Sequence, residues 1–214
     1  MSFKTKKYQV VKGALSKELA NFLFNYMMLQ RDAVDFMMKN QKINPYNPFI
    51  GNRTDKQCPG AYSKYADWAM ETLLQYMKPL MMKVTGLELV PCYTYTRVYQ
   101  PGSILNRHKD RPSCEISTTL HLGGDEWPIF LDPTGADCVI DERKNIIKSG
   151  APKGVSVLMQ PGDMLVYRGC DLEHWREPFQ GTICSQVFLH YNNVQGPFAK
   201  THVLDGRPLL GIPK

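Results

Sequence analysis

The chain changes its hydrophobic period once, at Gly86, and that change restricts its fold more than any other feature. Up to Gly86, apolar residues recur at helical spacing. Beyond it they alternate, or form short runs cut by turns such as Gln100-Pro101-Gly102 and Pro161-Gly162-Asp163. Helices followed by many short strands define an α+β chain. The strand-rich part reads as a sandwich or barrel, with the helices backing one sheet of a β-jelly roll. At 214 residues with no internal repeat, a single domain is expected. It divides into a helical part over about 1–86, a core over about 87–191 and a C-terminal wrap over 192–214.

The first expected helix runs from about Ser16 to Lys39. Leu19, Leu23, Tyr26, Met27, Val34 and Met38 recur at its spacing, and Ser16 can cap it. The segment Asn44–Gly60 is rich in Asn, Pro and Gly and reads as a loop, with a position that suits a lid. A second helix is expected over about Tyr62–Val84, with Met70, Leu73, Leu74, Met77 and Met81 on one face and Pro79 as a point of kinking. Nine of the eleven Met lie at or before residue 82, and they read as helical core, not as a ligand box. Strands are expected at Leu89–Tyr99, Ile116–Leu122, Pro128–Leu131, Cys138–Ile140, Gly154–Met159, Met164–Arg168, His174–Phe179 and Ile183–Tyr191. Tyr93, Tyr95, Arg97 and Tyr99 share one face of the first strand. Ser117, Thr119 and His121 share a polar face of the second, opposite Ile116, Thr118, Leu120 and Leu122.

The charge balance excludes little. Lys and Arg number 26 against 20 Asp and Glu, a net +6, which reads as a solvated basic surface. No aromatic–basic interleaved patch accompanies it, so nucleic acid is not an expected partner. No apolar run reaches the ~18 residues of a membrane span, and Met1–Val10 lacks the apolar region of a signal peptide. The six Cys form no CxxC pair, which argues against a cysteine zinc site. They read as reduced, mostly buried thiols of an intracellular, cytoplasmic protein.

The sharpest local feature is His108-Lys109-Asp110. On an extended backbone, positions i and i+2 point to the same side, so an imidazole and a carboxylate converge while Lys109 points away. One more histidine would complete a 2-His-1-carboxylate triad, a set that leaves open positions on non-haem Fe(II). The candidates are His121, His174, His190 and His202. The alternative reading of the pair is a surface histidine beside a carboxylate.

The surroundings of that pair form a longer pattern. It runs Tyr95-Thr-Arg97-Val-Tyr99-Gln-Pro-Gly102, His108-Lys-Asp110, Ser117-Thr-Thr-Leu-His-Leu122, Gly162-Asp163, and His174-Trp-Arg-Glu-Pro178 with Gly181. In order and spacing it resembles the catalytic core of prolyl 4-hydroxylase-like Fe(II)/2-oxoglutarate dioxygenases, and most nearly their small single-domain viral and bacterial members. The resemblance covers about residues 87–191. It implies a double-stranded β-helix, with Fe(II) held by His108, Asp110 and His174 and with 2-oxoglutarate chelating the metal. It further implies O2-dependent conversion of 2-oxoglutarate to succinate and CO2, coupled to hydroxylation of a C–H bond. Ascorbate is an auxiliary candidate. A prolyl, other peptidyl or small-molecule substrate is the implied partner, and the pattern fixes neither it nor the oligomeric state.

One departure from that family pattern concerns the distal carboxylate of 2-oxoglutarate. A Lys or Arg is expected nine or ten residues past the distal histidine, where this chain has Ile183 and Cys184. A buried carboxylate needs a cation or hydroxyls. Arg176 is the first choice, two residues on from His174 and therefore on its face. Arg97 is second and Arg168 third. The alternative for Arg176 is an ion pair with Glu173 or Glu177. Tyr99 matches a family tyrosine near 2-oxoglutarate and reads equally as a core aromatic; Thr119 and His121 lie on the polar face, where His121 reads first as a structural residue and second as a co-substrate contact. His190 and His202 read as structural or exposed, and Trp175 as packing on the outside. The missing cation also motivates a reading of another class, a non-catalytic metal-binding jelly-roll module.

Overall fold

The chain enters through one helical turn, α1 (Phe3–Lys6), and a strand, β1 (Tyr8–Val11), in a computed structural model that describes residues 3–141 and 146–214. The first long helix, α2 (Lys17–Lys39), starts where Ser16 Oγ accepts from the Leu19 amide at 3.2 Å. The next expected helix is two elements instead. Tyr62–Tyr65 forms strand β2, and helix α3 covers Trp68–Thr85. The break has a local cause: Ala66 takes a positive φ of 56°, and the Asp67 carboxylate then caps the amides of Ala69 and Met70. The helix runs through Pro79 and ends at Gly86, whose φ of 67° suits a residue without Cβ.

The remaining strands are β3 (Leu89–Tyr99), β4 (Leu105–His108), β5 (Ile116–Gly124), β6 (Ile129–Leu131), β7 (Val139–Ile140) and β8 (Ile146–Lys148). They continue with β9 (Val155–Val157), β10 (Met164–Arg168), β11 (His174–Arg176) and β12 (Cys184–Asn193). A six-stranded sheet has the order β1-β10-β5-β12-β3-β2, and a four-stranded sheet the order β4-β11-β6-β9. Strands β7 and β8 pair separately, and the pairings are antiparallel. The region before Gly86 is therefore not purely helical, since β1 and β2 form the two edges of the large sheet.

One face of the large sheet carries the core. Leu120 and Leu122 of β5, Met164 and Val166 of β10, and Val187 and Leu189 of β12 pack against Leu23 and Met27 of α2 and Met70, Leu74, Met77 and Met81 of α3. Each such side chain, fully buried, contributes on the order of 1.5–3 kcal/mol. Period-2 alternation then sends the opposite set, including Arg97, Thr119, His121 and Gln186, toward the four-stranded sheet. A hydrogen bond from Arg176 of β11 to Thr119 of β5 bridges the two sheets.

The C-terminal segment is more than a surface wrap. Asp205 and Arg207 are buried. Arg207 Nη2 donates to Glu71 Oε1 at 2.7 Å and to the Cys92 carbonyl at 2.8 Å, and Asp205 accepts from Tyr65 Oη at 2.6 Å and pairs with Arg111. Buried charges persist only when paired, so these partners draw the segment into the fold. All six cysteines are free, and four of them are buried. Among the described residues, no helix is long and apolar enough to cross a membrane.

Candidate metal centre and its surroundings

Strand register builds the centre. In the antiparallel pair β4–β11, His108 lies directly opposite His174, which sets their rings 4.3 Å apart between centroids. The chain then leaves β4, and the Asp110 amide donates to the Gly169 carbonyl at 2.9 Å, which turns the carboxylate back toward both rings. Asp110 Oδ1 stands 3.7 Å from His108 Nε2 and 3.5 Å from His174 Nε2. One ligand atom from each of the three residues lies within 4.8 Å of the others.

The polarity of the two rings is fixed by groups that can only accept. His108 Nδ1 lies 2.7 Å from the Asn106 carbonyl, and His174 Nδ1 lies 3.1 Å from the Leu172 carbonyl. Each Nδ1 therefore carries a proton, and each ring turns its Nε2 inward. Burial, followed by the neighbouring His174, pushes His108 down to about 4, so it is neutral at ordinary pH. Burial pushes Asp110 up, but the adjacent His174, His190 and His108 outweigh it and hold the carboxyl well below the usual range. Ser117 Oγ donates to Asp110 Oδ2 at 2.8 Å. Two imidazole Nε2 atoms and one ionised carboxylate thus meet at one point.

Asp110 also belongs to a second convergence, with Cys114 and His190. Burial lifts the Cys114 thiol well above its ordinary value, and sulfur ligates metals as the thiolate. That set is the poorer host. His190 is buried; its Nδ1 lies 2.9 Å from Ser117 Oγ, and its ring stacks on Tyr93 at 4.4 Å. His202 is half-buried, with Nδ1 2.8 Å from Thr201 Oγ1.

Arg176 is buried, and among the described residues no carboxylate pairs with it. Its alternative partner Glu173 binds Arg107 instead, at 2.6 Å. Its guanidinium donates to the Trp127 carbonyl and, at 3.3 Å, to Thr119 Oγ1, while Nε has no partner. From Arg176 a chain of fixed polarity follows. Thr119 Oγ1 accepts from Arg176, so its hydroxyl donates to Gln186 Oε1 at 3.0 Å. The Gln186 amide nitrogen, 2.9 Å from His121 Nδ1, must then donate, and His121 carries its proton on Nε2. That Nε2 and the Tyr99 hydroxyl are also without partners. Of five unpartnered buried side-chain polar atoms among the described residues, three therefore sit on Arg176, His121 and Tyr99. Burial raises the Tyr99 hydroxyl against the charges of Arg97 and then Arg176, and burial followed by the Arg176 charge lowers His121.

Arg97 differs. It donates to Asp55 Oδ2 from Nε at 3.0 Å and from Nη2 at 2.5 Å, and to Gln57 Oε1 at 2.5 Å. Its charge is already met. Arg168 lies at the end of β10, partly exposed, 3.5 Å from Asp171, so the third choice is a surface ion pair. Trp175 turns away from His174, stacks on Phe130 at 5.7 Å and is covered by Arg107.

A cavity of about 270 Å³ opens beside the triad, walled by Tyr93, Tyr95, Phe188 and His190 and by Asp55 and Gln57 from the loop before β2. Arg176, Thr119, Tyr99 and His121 lie outside its lining. The sequence gives the loop a position that suits a lid but singles out neither Asp55 nor Gln57. A carboxylate and an amide in an aperiodic segment carry no signal of where the segment docks.

The fold has known counterparts. A prolyl-4-hydroxylase from Pseudomonas putida superposes with a TM-score of 0.57 at 17% identity, over 89% of this chain and 95% of its own. HygX from Streptomyces hygroscopicus, solved with nickel and 2-oxoglutarate bound, gives 0.57 at 13% identity over 90% and 85%. AviO1 from Streptomyces viridochromogenes gives 0.62 at 13% identity over 91% and 93%. No protein-family model matches the chain, and no curated protein matches it. At these identities the likeness is one of fold: the α+β architecture is that of enzymes that include non-haem α-ketoglutarate-dependent ones.

Proposed function

We propose that residues 1–214 form one Fe(II)- and 2-oxoglutarate-dependent oxygenase domain of the prolyl 4-hydroxylase-like, double-stranded β-helix type. It hydroxylates a C–H bond of a prolyl, other peptidyl or small-molecule substrate. The convergence of two inward Nε2 atoms with the Asp110 carboxylate carries this reading, because that donor set suits non-haem Fe(II) with open positions. The unmatched Arg176 guanidinium beside orphaned groups of Tyr99 and His121 suits a dicarboxylate co-substrate. HygX, which shares the fold, holds nickel and 2-oxoglutarate.

When bound, iron and 2-oxoglutarate supply the O2-dependent oxidative chemistry. The chain supplies the rest. His108, Asp110 and His174 hold the metal, and the Asn106 and Leu172 carbonyls keep both rings in register. Ser117 orients Asp110. Arg176 and Thr119, with Tyr99 and His121, receive the distal carboxylate. Tyr93, Tyr95 and Phe188 limit water around the reacting carbon.

The test is succinate release from 2-oxoglutarate by Fe(II)-loaded protein under air. Release that disappears in His174→Ala supports the reading. Metal binding without any succinate identifies the non-catalytic module instead.

A further inference from the structure

We propose that the Asp55–Gln57 turn is a latch that competes with the metal for His108, so that metal loading loosens the mouth of the cavity. This rests on the metal-site reading above and adds the coupling. The argument is one of hydrogen-bond polarity. Arg97 can only donate, so the Gln57 oxygen must face it, at 2.5 Å. The Gln57 amide nitrogen then faces His108 Nε2 at 2.7 Å and donates to it. His108 Nδ1 is protonated by its bond to the Asn106 carbonyl, so Nε2 is the lone pair that accepts. A metal ligated by His108 needs that same lone pair.

The two states exclude each other. One planar amide makes both the Arg97 and the His108 contact, so withdrawing it from His108 disturbs its bond to Arg97. The turn then keeps the Asp55 contacts, to Arg97 and to Tyr95 Oη at 2.7 Å, and the buried Cys58 that follows it. Because Asp55 and Gln57 both line the cavity, a looser turn widens the way in. The latch also lowers the apparent metal affinity by the fraction of molecules in which it is closed.

The experiment uses the full chain and Mn(II) alone, with no turnover needed. Calorimetric titration should show Gln57→Leu binding Mn(II) about fivefold more tightly than the wild type, the size of one lost competing hydrogen bond. Hydrogen exchange of the amides at Gln57, Cys58 and Gly60, which bond within the turn, should become about threefold faster or more when Mn(II) is added to the wild type. In Gln57→Leu it should be fast from the start. Equal or weaker Mn(II) binding by Gln57→Leu, or exchange that Mn(II) leaves unchanged or slows, overturns the latch while the metal site stands. A wild type that binds no Mn(II) overturns both.

Discussion

The Arg176 guanidinium donates to Thr119 Oγ1 at 3.3 Å across the two sheets, and among the described residues no carboxylate answers its charge. A buried cation without an anion is costly. Its surroundings are poised for a ligand, since three unpartnered polar groups cluster on Arg176, His121 and Tyr99.

Arg176→Leu should therefore act in two opposite ways. Losing a charged partner of a buried carboxylate costs on the order of 2–5 kcal/mol, so the KM for 2-oxoglutarate should rise roughly thirtyfold or more, with metal binding kept. Without ligand, the variant should melt at the same temperature as the wild type or higher, because an unpaired buried charge is gone. Melting curves with and without 2-oxoglutarate, alongside Arg97→Leu, check both points. If only Arg97→Leu loses the co-substrate, the anchor enters from β3.

The support of Asp110 should matter nearly as much as the ligands. Ser117→Ala removes the 2.8 Å hydrogen bond to Oδ2. Groups that orient ligands typically contribute about 10–100-fold to metal affinity, so Mn(II) should bind that much more weakly by calorimetry, while His174→Ala should show no binding. Unchanged affinity in Ser117→Ala would mean that register alone fixes the carboxylate.

How much of this was legible in the sequence depends on the reach of each interaction. Alternation within β5 assigned Thr119 and His121 to the face opposite Leu120, because side-chain parity is a property of neighbouring residues. Ser16 announced the start of α2 for the same reason. Tyr62–Tyr65 reads as helix in sequence because its pairing with β3 lies some thirty positions downstream, beyond the range of local propensity. Gln57 reaching His108 and Arg207 reaching Glu71 span 51 and 136 positions, and no pattern in either segment encodes the other.

That last pair gives a stability prediction. Arg207 and Glu71 are both buried, with side chains 0% and 3% exposed. Glu71 also accepts from the Thr94 and Gly211 amides. Arg207→Met leaves the carboxylate buried without its cation, and breaking one side of such a pair typically costs about 3–5 kcal/mol. Urea unfolding should show a loss of that size with the m-value unchanged. A loss under ~1 kcal/mol would mean that the C-terminal segment is loosely held.

His121 makes stability depend on pH. Burial, helped by the Arg176 charge, lowers its pKa to about 4 from the usual 6.5, while the Ser185 backbone, then Glu126 and Asp163, oppose the shift; Cys184 Sγ lies 3.9 Å from its Nδ1. In the unfolded chain the ring takes up a proton near its usual value. Between about 6.5 and 4 the unfolded state therefore binds more protons, so stability falls as the pH falls through that window. The full shift corresponds to about 3 kcal/mol at its acid end. His121→Asn can keep an acceptor for the Gln186 amide, which donates to Nδ1 at 2.9 Å, and it has no proton to gain there. Denaturant unfolding of both proteins from pH 7.5 to 4.5 should show the shallower decline in the variant. Parallel declines would mean that His121 is protonated in the folded state, with its proton shared elsewhere than the Gln186 amide.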